Sequence, residues 1–403
     1  MQTSIHERYR HTAAGIEADR VLRSCVHCGF CNATCPTYQL LGDELDGPRG
    51  RIYQIKEMLE GVPATPSVRR HLDRCLTCRN CETTCPSGVD YHRLLDVGRV
   101  LVEQQTRRPW LERLLRHALL RVLPYRRRFA PLLRLGRLAR PLLPAALKTH
   151  VPVARAAGPL PANRHARRVI LLEGCVQPAL APQINAATRR VLDRLGISVV
   201  TGANAGCCGA LPWHLSDCAP ALAMARANID AWWPLVEAGA EALLINASGC
   251  APMVKEYGHL LRDDAAYAAR AARVSAMARD ASEFIATLDV TPLGAAGGQR
   301  IAFHAPCTLQ HAQRLSGVVE GLLERLGFTL TTVADAHLCC GAAGTYSLLQ
   351  PTLSRRLRDA RCGALQQGSP TLIATANIGC MLHLESGADV PVVHWLDLLD
   401  RLA

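Results

Sequence analysis

Two periodicities run through this 403-residue chain, one replacing the other along its length. In the first hundred residues the clearest pattern is helical. Gly47 to Glu60 (GPRGRIYQIKEMLE) opens on a turn and then places Ile52, Ile55, Met58 and Leu59 at helical spacing, which predicts a helix with those four in a core. Arg49 and Arg51, near its start, are expected on a solvated face, with electrostatic tuning of a nearby cluster as the second reading. Between residues 107 and 148, Leu and Arg recur at helical spacings, interrupted by Pro109, Pro124, Pro131, Pro141 and Pro144. Short amphipathic helices between prolines are expected, the first with Leu111, Leu114, Leu115, Leu119 and Val122 on its apolar side. Its apolar face has two readings: packing on the protein's own domains or a partner subunit, and lying in an anionic membrane interface.

Beyond residue 167 short apolar runs alternate with amphipathic segments, and the pattern occurs twice at an offset of about 132 residues. RVILLEGCV (168–176) matches RIAFHAPCT (300–308), and VLDRLGISVV (191–200) matches LLERLGFTLT (322–331). GCCGA (206–210) matches LCCGA (338–342), and ALLINASGC (242–250) matches TLIATANIGC (371–380). Each copy reads as a strand ending at a Cys, a helix closed by Gly196 or Gly327, a second strand, Cys-Cys-Gly, a helix, and a third strand ending at Gly-Cys. Strands alternating with helices imply βαβ units and a parallel sheet, with ligand sites at the carboxyl ends of the strands. Segment 264–279 has no counterpart in the second copy and is expected to pack over the boundary between copies.

Composition changes one part of this picture. The formal charge is +12. Residues 1–106 balance 13 basic against 13 acidic side chains, and residues 149–403 carry 21 against 20. The excess therefore sits in residues 107–148, with 12 basic residues and one acid, Glu112. A general nucleic-acid surface is not expected from globular parts this close to neutral. The N-terminus lacks the apolar run of a secretory signal, and stretches such as Ala139 to Leu147 fall short of the ~20 residues that span a bilayer. A cytoplasmic protein is expected, in contact with a membrane only through its periphery.

In a reducing compartment 18 cysteines point to metal or redox chemistry, not to disulfides. Cys25, Cys28, Cys31 and Cys35, followed by Pro36, form C-x2-C-x2-C-x3-C-P. Cys75, Cys78, Cys81, Cys85 and Pro86 repeat it fifty residues later. In the bacterial ferredoxin run three thiolates hold one [4Fe–4S] cluster and the fourth Cys ligates the other. The expected sets are Cys25, Cys28, Cys31 and Cys85 for cluster 1, and Cys75, Cys78, Cys81 and Cys35 for cluster 2. Zinc, the competing reading, needs neither the third Cys, the fourth Cys nor the Pro. A c-type haem is disfavoured because Asn32 and Glu82 follow Cys31 and Cys81 where His belongs.

The duplicated part brings Cys175, Cys207, Cys208 and Cys250, and again Cys307, Cys339, Cys340 and Cys380, to strand ends. Each set is a candidate for a further cluster or metal. Gly209 and Gly341 suit a positive φ or a close backbone approach. Cys218 and Cys362 do not correspond between copies and are expected to be buried packing residues, while His304 and His337 are candidate hydrogen-bond donors behind the ligands. No strand-linked G-x-G-x-x-G occurs, and GAAGG at 294–298 precedes a strand in a linker, so no flavin or nicotinamide site is expected.

A twin ferredoxin run followed by two Cys-Cys-Gly domains resembles, over nearly the whole chain, the iron–sulfur subunits of bacterial glycolate oxidases (glycolate dehydrogenases). It is less similar to those of anaerobic glycerol-3-phosphate dehydrogenase, lactate oxidation complexes and heterodisulfide reductase. The motifs that carry the likeness are Cys25 to Pro36, Cys75 to Pro86, Cys207-Cys208-Gly209, Cys339-Cys340-Gly341, Asn246 to Cys250 and Asn377 to Cys380. The resemblance implies an electron-transfer subunit, inactive alone. Partner subunits would carry FAD and oxidise a small 2-hydroxy acid, and a quinone or another respiratory acceptor would lie downstream. One departure stands out. The fullest Cys-Cys-Gly motif ends C-x2-C, whereas Met253 and His383 hold the last position here, His383 being a candidate ligand and Met253 a core residue.

The expected organisation is α/β overall. An α-helical two-cluster ferredoxin domain spans 1–105, a basic amphipathic linker 106–165, and two Cys-Cys-Gly domains with parallel sheets 166–295 and 296–403.

Overall fold

The computed structural model describes residues 1–142, 144 and 151–402; Lys148 and most of the stretch from Leu143 to Leu147 lie outside the described residues. The first hundred residues form helices, including Ala13–Ser24, Pro36–Leu41, Pro48–Leu59, Pro66–Asp73 and Tyr91–Gln105. Pro36, Pro48 and Pro66 stand in the first turn of their helices, where the missing N–H would have no partner anyway. Val21, Leu22, Ile52, Ile55, Met58, Leu59, Leu94 and Leu95 make the core between them. Each fully buried Leu or Ile contributes roughly 1.5–3 kcal/mol.

Arg51 does not follow the expectation. It is 1% exposed and points into this core, whereas the Arg49 side chain is 43% exposed. Helical periodicity places both residues near one helix start but cannot say that Cys35, Thr37 and His71 close over one of them.

Trp110–Val122 and Arg126–Ala139 form the two helices of the basic segment. Pro131 lies inside the second helix and does not break it. Neither helix buries a residue fully. The first is anchored through its polar side: Arg108 and Arg116 pair with Asp73, and both also bind Glu112. Leu111, Leu114, Leu132, Leu135 and Leu138 are left at least half exposed.

Two four-stranded parallel sheets follow. The first comprises β1 (Arg167–Leu172), β2 (Ile197–Val200), β3 (Ala242–Ile245) and β4 (Ala278–Asp280), in the order β2-β1-β3-β4. The second comprises β5 (Arg300–His304), β6 (Thr329–Leu330), β7 (Ile373–Thr375) and β8 (Val392–His394), in the order β6-β5-β7-β8. The common order is the duplication in three dimensions. Each copy holds a fourth, three-residue edge strand that periodicity does not register, because so short a run carries less than two periods. Segment 264–279 also departs from expectation. Its helix, Ala268–Met277, packs within the first copy on Tyr257, Val254 and Trp232, and its end runs directly into β4.

Alternation along β1 decides how the copies join. Val169 and Leu171 face a core shared with Ile301, Phe303 and Trp395 of the second copy, while Ile170 and Leu172 face the first copy's own core. The shared core is closed by Pro182–Arg194 against Trp395–Arg401, with Arg190 held bidentate by Asp400 (2.7 and 2.9 Å). The helical module sits across the strand ends of both copies. Trp213 Nε1 donates to Asp96 (2.8 Å) and Arg93 pairs with Glu256 (2.9 Å) on the first; Asn80 Nδ2 donates to the His337 carbonyl (3.1 Å) on the second.

Candidate iron–sulfur and cysteine sites

The two ferredoxin runs fold alike for a backbone reason. Residues two and four places after the first Cys have positive φ in both, at His27 (58°) and Gly29 (89°), then Thr77 (54°) and Arg79 (62°). Alternating left-handed residues turn successive N–H groups toward one side, a shape that favours anions. Only one of the four is glycine, and each of the others costs about 1–2 kcal/mol. Arg79 is held there by Glu82 (2.7 Å), which also accepts from His92.

The cysteines fall into two sets that interleave the runs. Cys25, Cys28, Cys31 and Cys85 line one recess of about 440 Å³, open mouth included, together with Ile52, Val89 and Tyr91. Cys81 reaches its wall as well. Burial pushes the Cys31 thiol up to about 12, with Cys25 and Cys85 as its nearest like-charged neighbours. In the other set burial raises Cys78, whose neighbours are Cys307, Cys35 and Cys75, and raises Cys81 beside Cys78, Cys75 and Cys35. Thiols so shifted stay protonated in an empty pocket, and metal binding must displace their protons.

The sets differ in cover. In the first set Cys25 is buried, Cys28 is exposed and Cys31 and Cys85 are half-buried, whereas Cys35, Cys75, Cys78 and Cys81 are all buried. Val26 (69% exposed) and Phe30 (63%) flank Cys28 at the surface. Over the second set lies the second copy of the duplicated domain: Cys78 and Leu76 pack on Cys307, Cys339 and Tyr346. The donors are eight thiols in two apolar cradles, which suits two thiolate-ligated clusters.

Several polar neighbours of the second set have no sequence signature. Tyr91 Oη donates to Cys75 Sγ (3.7 Å), and Thr37 Oγ1 lies 3.3 Å from Cys35 Sγ. Asp46, fully buried, accepts from His71 (3.0 Å) and Arg74 (2.7 Å), with Arg51 at 3.6 Å. Burial works against the Arg51 charge, but Cys75, Tyr91, Cys35 and Asp46 outweigh it and hold the guanidinium protonated.

In the duplicated part each set of four cysteines forms a chain of thiols. Cys175 lies beside Cys207, Cys207 beside Cys208, and Cys208 beside Cys250, all as free thiols; contact with the neighbouring thiol and burial raise Cys175. In the second copy Cys307 donates to Cys339 (3.8 Å), and the Cys340 thiol lies beside that of Cys380. Gly209 (φ 90°) and Gly341 (φ 88°) make the close turns, since a Cβ would stand 2.9 Å from the Ala221 carbonyl and 2.7 Å from that of Ser354.

A ring nitrogen of His304 and the sulfurs of Cys340 and Cys380 lie within 4.8 Å of one another. His304 Nδ1 faces Arg361 Nε (3.1 Å), a donor only, so the neutral ring carries its proton on Nε2. His337 contributes its carbonyl, to Asn80 and His311, where a ring contact was expected. His383 turns its Nε2 to Ser354 (3.1 Å), not to the thiols. Met253 is buried beside Gly209, as expected of a core residue. Cys362 is buried, but Cys218 is only half-buried, beside Asp96.

Comparison with known proteins finds likenesses over both the helical module and the duplicated part. A 4Fe-4S dicluster domain family matches residues 21–89, so the helical module carries two [4Fe–4S] clusters. A cysteine-rich domain family matches residues 169–255 and 301–385. The chain is 56% identical to the glycolate oxidase iron-sulfur subunit of Escherichia coli (strain K12), over all of this chain and 99% of that protein. It is 30% identical to the probable glycolate oxidase iron-sulfur subunit of Bacillus subtilis (strain 168), over 94% of this chain and 93% of that one. Lactate utilization protein A of Exiguobacterium is 26% identical over 58% of this chain. No described helix is long and apolar enough to cross a membrane.

Proposed function

The chain belongs to the glycolate oxidase iron–sulfur subunit family, and from that premise we propose that it is the electron-transfer subunit of a membrane-associated glycolate-oxidising complex. FAD-bearing partner subunits oxidise glycolate to glyoxylate, and a quinone or other respiratory acceptor receives the electrons. The observation that carries the reading is the interleaved grouping of eight cysteines into one surface set and one covered set. Cys25, Cys28, Cys31 and Cys85 hold cluster 1; Cys35, Cys75, Cys78 and Cys81 hold cluster 2. Bound there, each cluster takes up and releases one electron at a time, splitting the pair that a flavin delivers.

The chain's own residues set the conditions. Paired positive-φ loops aim N–H groups inward, Tyr91 donates to Cys75, and Ile52, Val89 and Leu76 exclude water. Val26 and Phe30 beside Cys28 offer the apolar contact that a partner subunit would cover. The exposed leucines and arginines of 110–139 are the face for an anionic membrane. The thiol chains ending at Cys250 and Cys380 are donor sets for a further metal or cluster, the second reaching Cys78 through Cys307.

Purification of the tagged chain from its native host tests the reading. Flavoprotein subunits should accompany it, and glycolate should reduce its clusters faster than lactate or glycerol 3-phosphate. Cluster reduction by lactate or glycerol 3-phosphate in preference to glycolate would overturn it.

A further inference from the structure

The group whose place the sequence does not reveal is Arg51. Its guanidinium is pinned on three sides. Nε donates to the His71 carbonyl (2.8 Å), Nη2 donates to Thr37 Oγ1 (3.1 Å), and Nη1 points at Cys35 Sγ (4.0 Å). A buried charge needs compensation, and here the carboxylate is shared. Asp46 serves both Arg51 (3.6 Å) and Arg74 (2.7 Å). One carboxylate between two guanidiniums leaves one positive charge in excess among these side chains, at the wall formed by Cys35 and Cys75.

Four thiolates around a [4Fe–4S] core make an anion that gains one more negative charge on reduction. A fixed cation in a dry pocket lowers the free energy of the more negative state most. The cations at the surface set are less enclosed: Arg49 is half in solvent and paired with Glu44 (3.5 Å), and the partly buried Met1 ammonium donates to the Cys25 carbonyl. We propose that Arg51 is a positioning residue for electron transfer, its buried charge raising the reduction potential of the cluster at Cys35, Cys75, Cys78 and Cys81. The inference rests on the reading of those four cysteines as ligands.

The test is a potentiometric titration of the full chain, purified anaerobically with its clusters, each signal followed by electron paramagnetic resonance. Arg51→Gln should shift the reduction equilibrium of the covered cluster at least tenfold toward the oxidised form, about 59 mV for one electron. Asp46→Asn should shift it the opposite way, and the surface cluster should stay put in both. Arg51→Lys, which keeps the charge, should hold the parent potential, whereas a merely structural Arg51 would lose it in Arg51→Lys as in Arg51→Gln. Arg51→Gln at full iron content with an unmoved covered cluster would overturn the proposal. If Arg51→Gln loses iron, Asp46→Asn decides: an upward shift supports the proposal and an unchanged or lowered potential overturns it. A wild-type chain with only about four irons would sink the ligand reading itself.

Discussion

Removing Cys85 separates the interleaved grouping from the one the two runs suggest when taken separately. Cys85 closes the second run in sequence, yet it lines the recess of Cys25, Cys28 and Cys31. Cys85→Ala leaves three thiols at the surface site and all four at the covered one. The side chain is half-buried, so truncation costs the fold on the order of 1 kcal/mol or less, and the chain stays folded. Iron per chain should fall from about eight to about four. Of the two signals in the dithionite-reduced protein, the one that survives should be the one lost in Cys75→Ala, and Cys31→Ala should match Cys85→Ala. Iron and sulfide analysis of anaerobic preparations, with spectra of all three variants, provides the assay. The reasoning fails if Cys85→Ala and Cys75→Ala lose the same signal while Cys31→Ala loses the other.

Gly341→Ala forces a side chain into φ 88° and puts its Cβ 2.7 Å from the Ser354 carbonyl, which should cost at least ~1–2 kcal/mol. An unchanged thermal midpoint would contradict that geometry. Asp397, in the first turn of the C-terminal helix, has its pKa raised by burial to about 6. Its folded value lies above the unfolded 3.8, so the stability it contributes is full below pH 4 and lost as pH rises through 6. Asp397→Asn should therefore exceed the parent by about 2–3 kcal/mol at pH 7.5, with the gap closing toward pH 4. Denaturant midpoints across that range would show it, and a gap that widens in acid would reverse the assigned sign.

How far the sequence reaches depends on how local the signal is. The helix at Gly47–Glu60 is written in Ile52, Ile55, Met58 and Leu59, and it forms as Pro48–Leu59 with all four buried. The duplication is written in matched strands and Cys-Cys-Gly turns, and both copies form sheets of one order. Edge strands of three residues escaped because they contain too few alternations. Pro131 misled because an interior proline removes one backbone hydrogen bond without always ending a helix, and Arg126–Ala139 continues through it.

Spacing also specified the chemistry of the eight cysteines, since a run with fixed gaps constrains where its sulfurs can point. What lies over those sulfurs depends on contacts between residues hundreds of positions apart. Cys78 against Cys307 and Asn80 against the His337 carbonyl exist only because the helical module is seated across the strand ends of both copies. That seating covers Cys78, while Cys75 and Cys81 are buried in the helical module's own core and Cys28 is left in the open. Within the second copy the packing of its own helices on its sheet turned His383 to Ser354, and it brought His304, a candidate from the sequence, to the thiols. Composition, period and gap length are properties of a segment, and they determined which elements form and which residues carry chemistry. Burial and charge pairing are properties of what surrounds a segment, so the solvated face expected of Arg51 became, in the folded chain, a cation enclosed against Cys35.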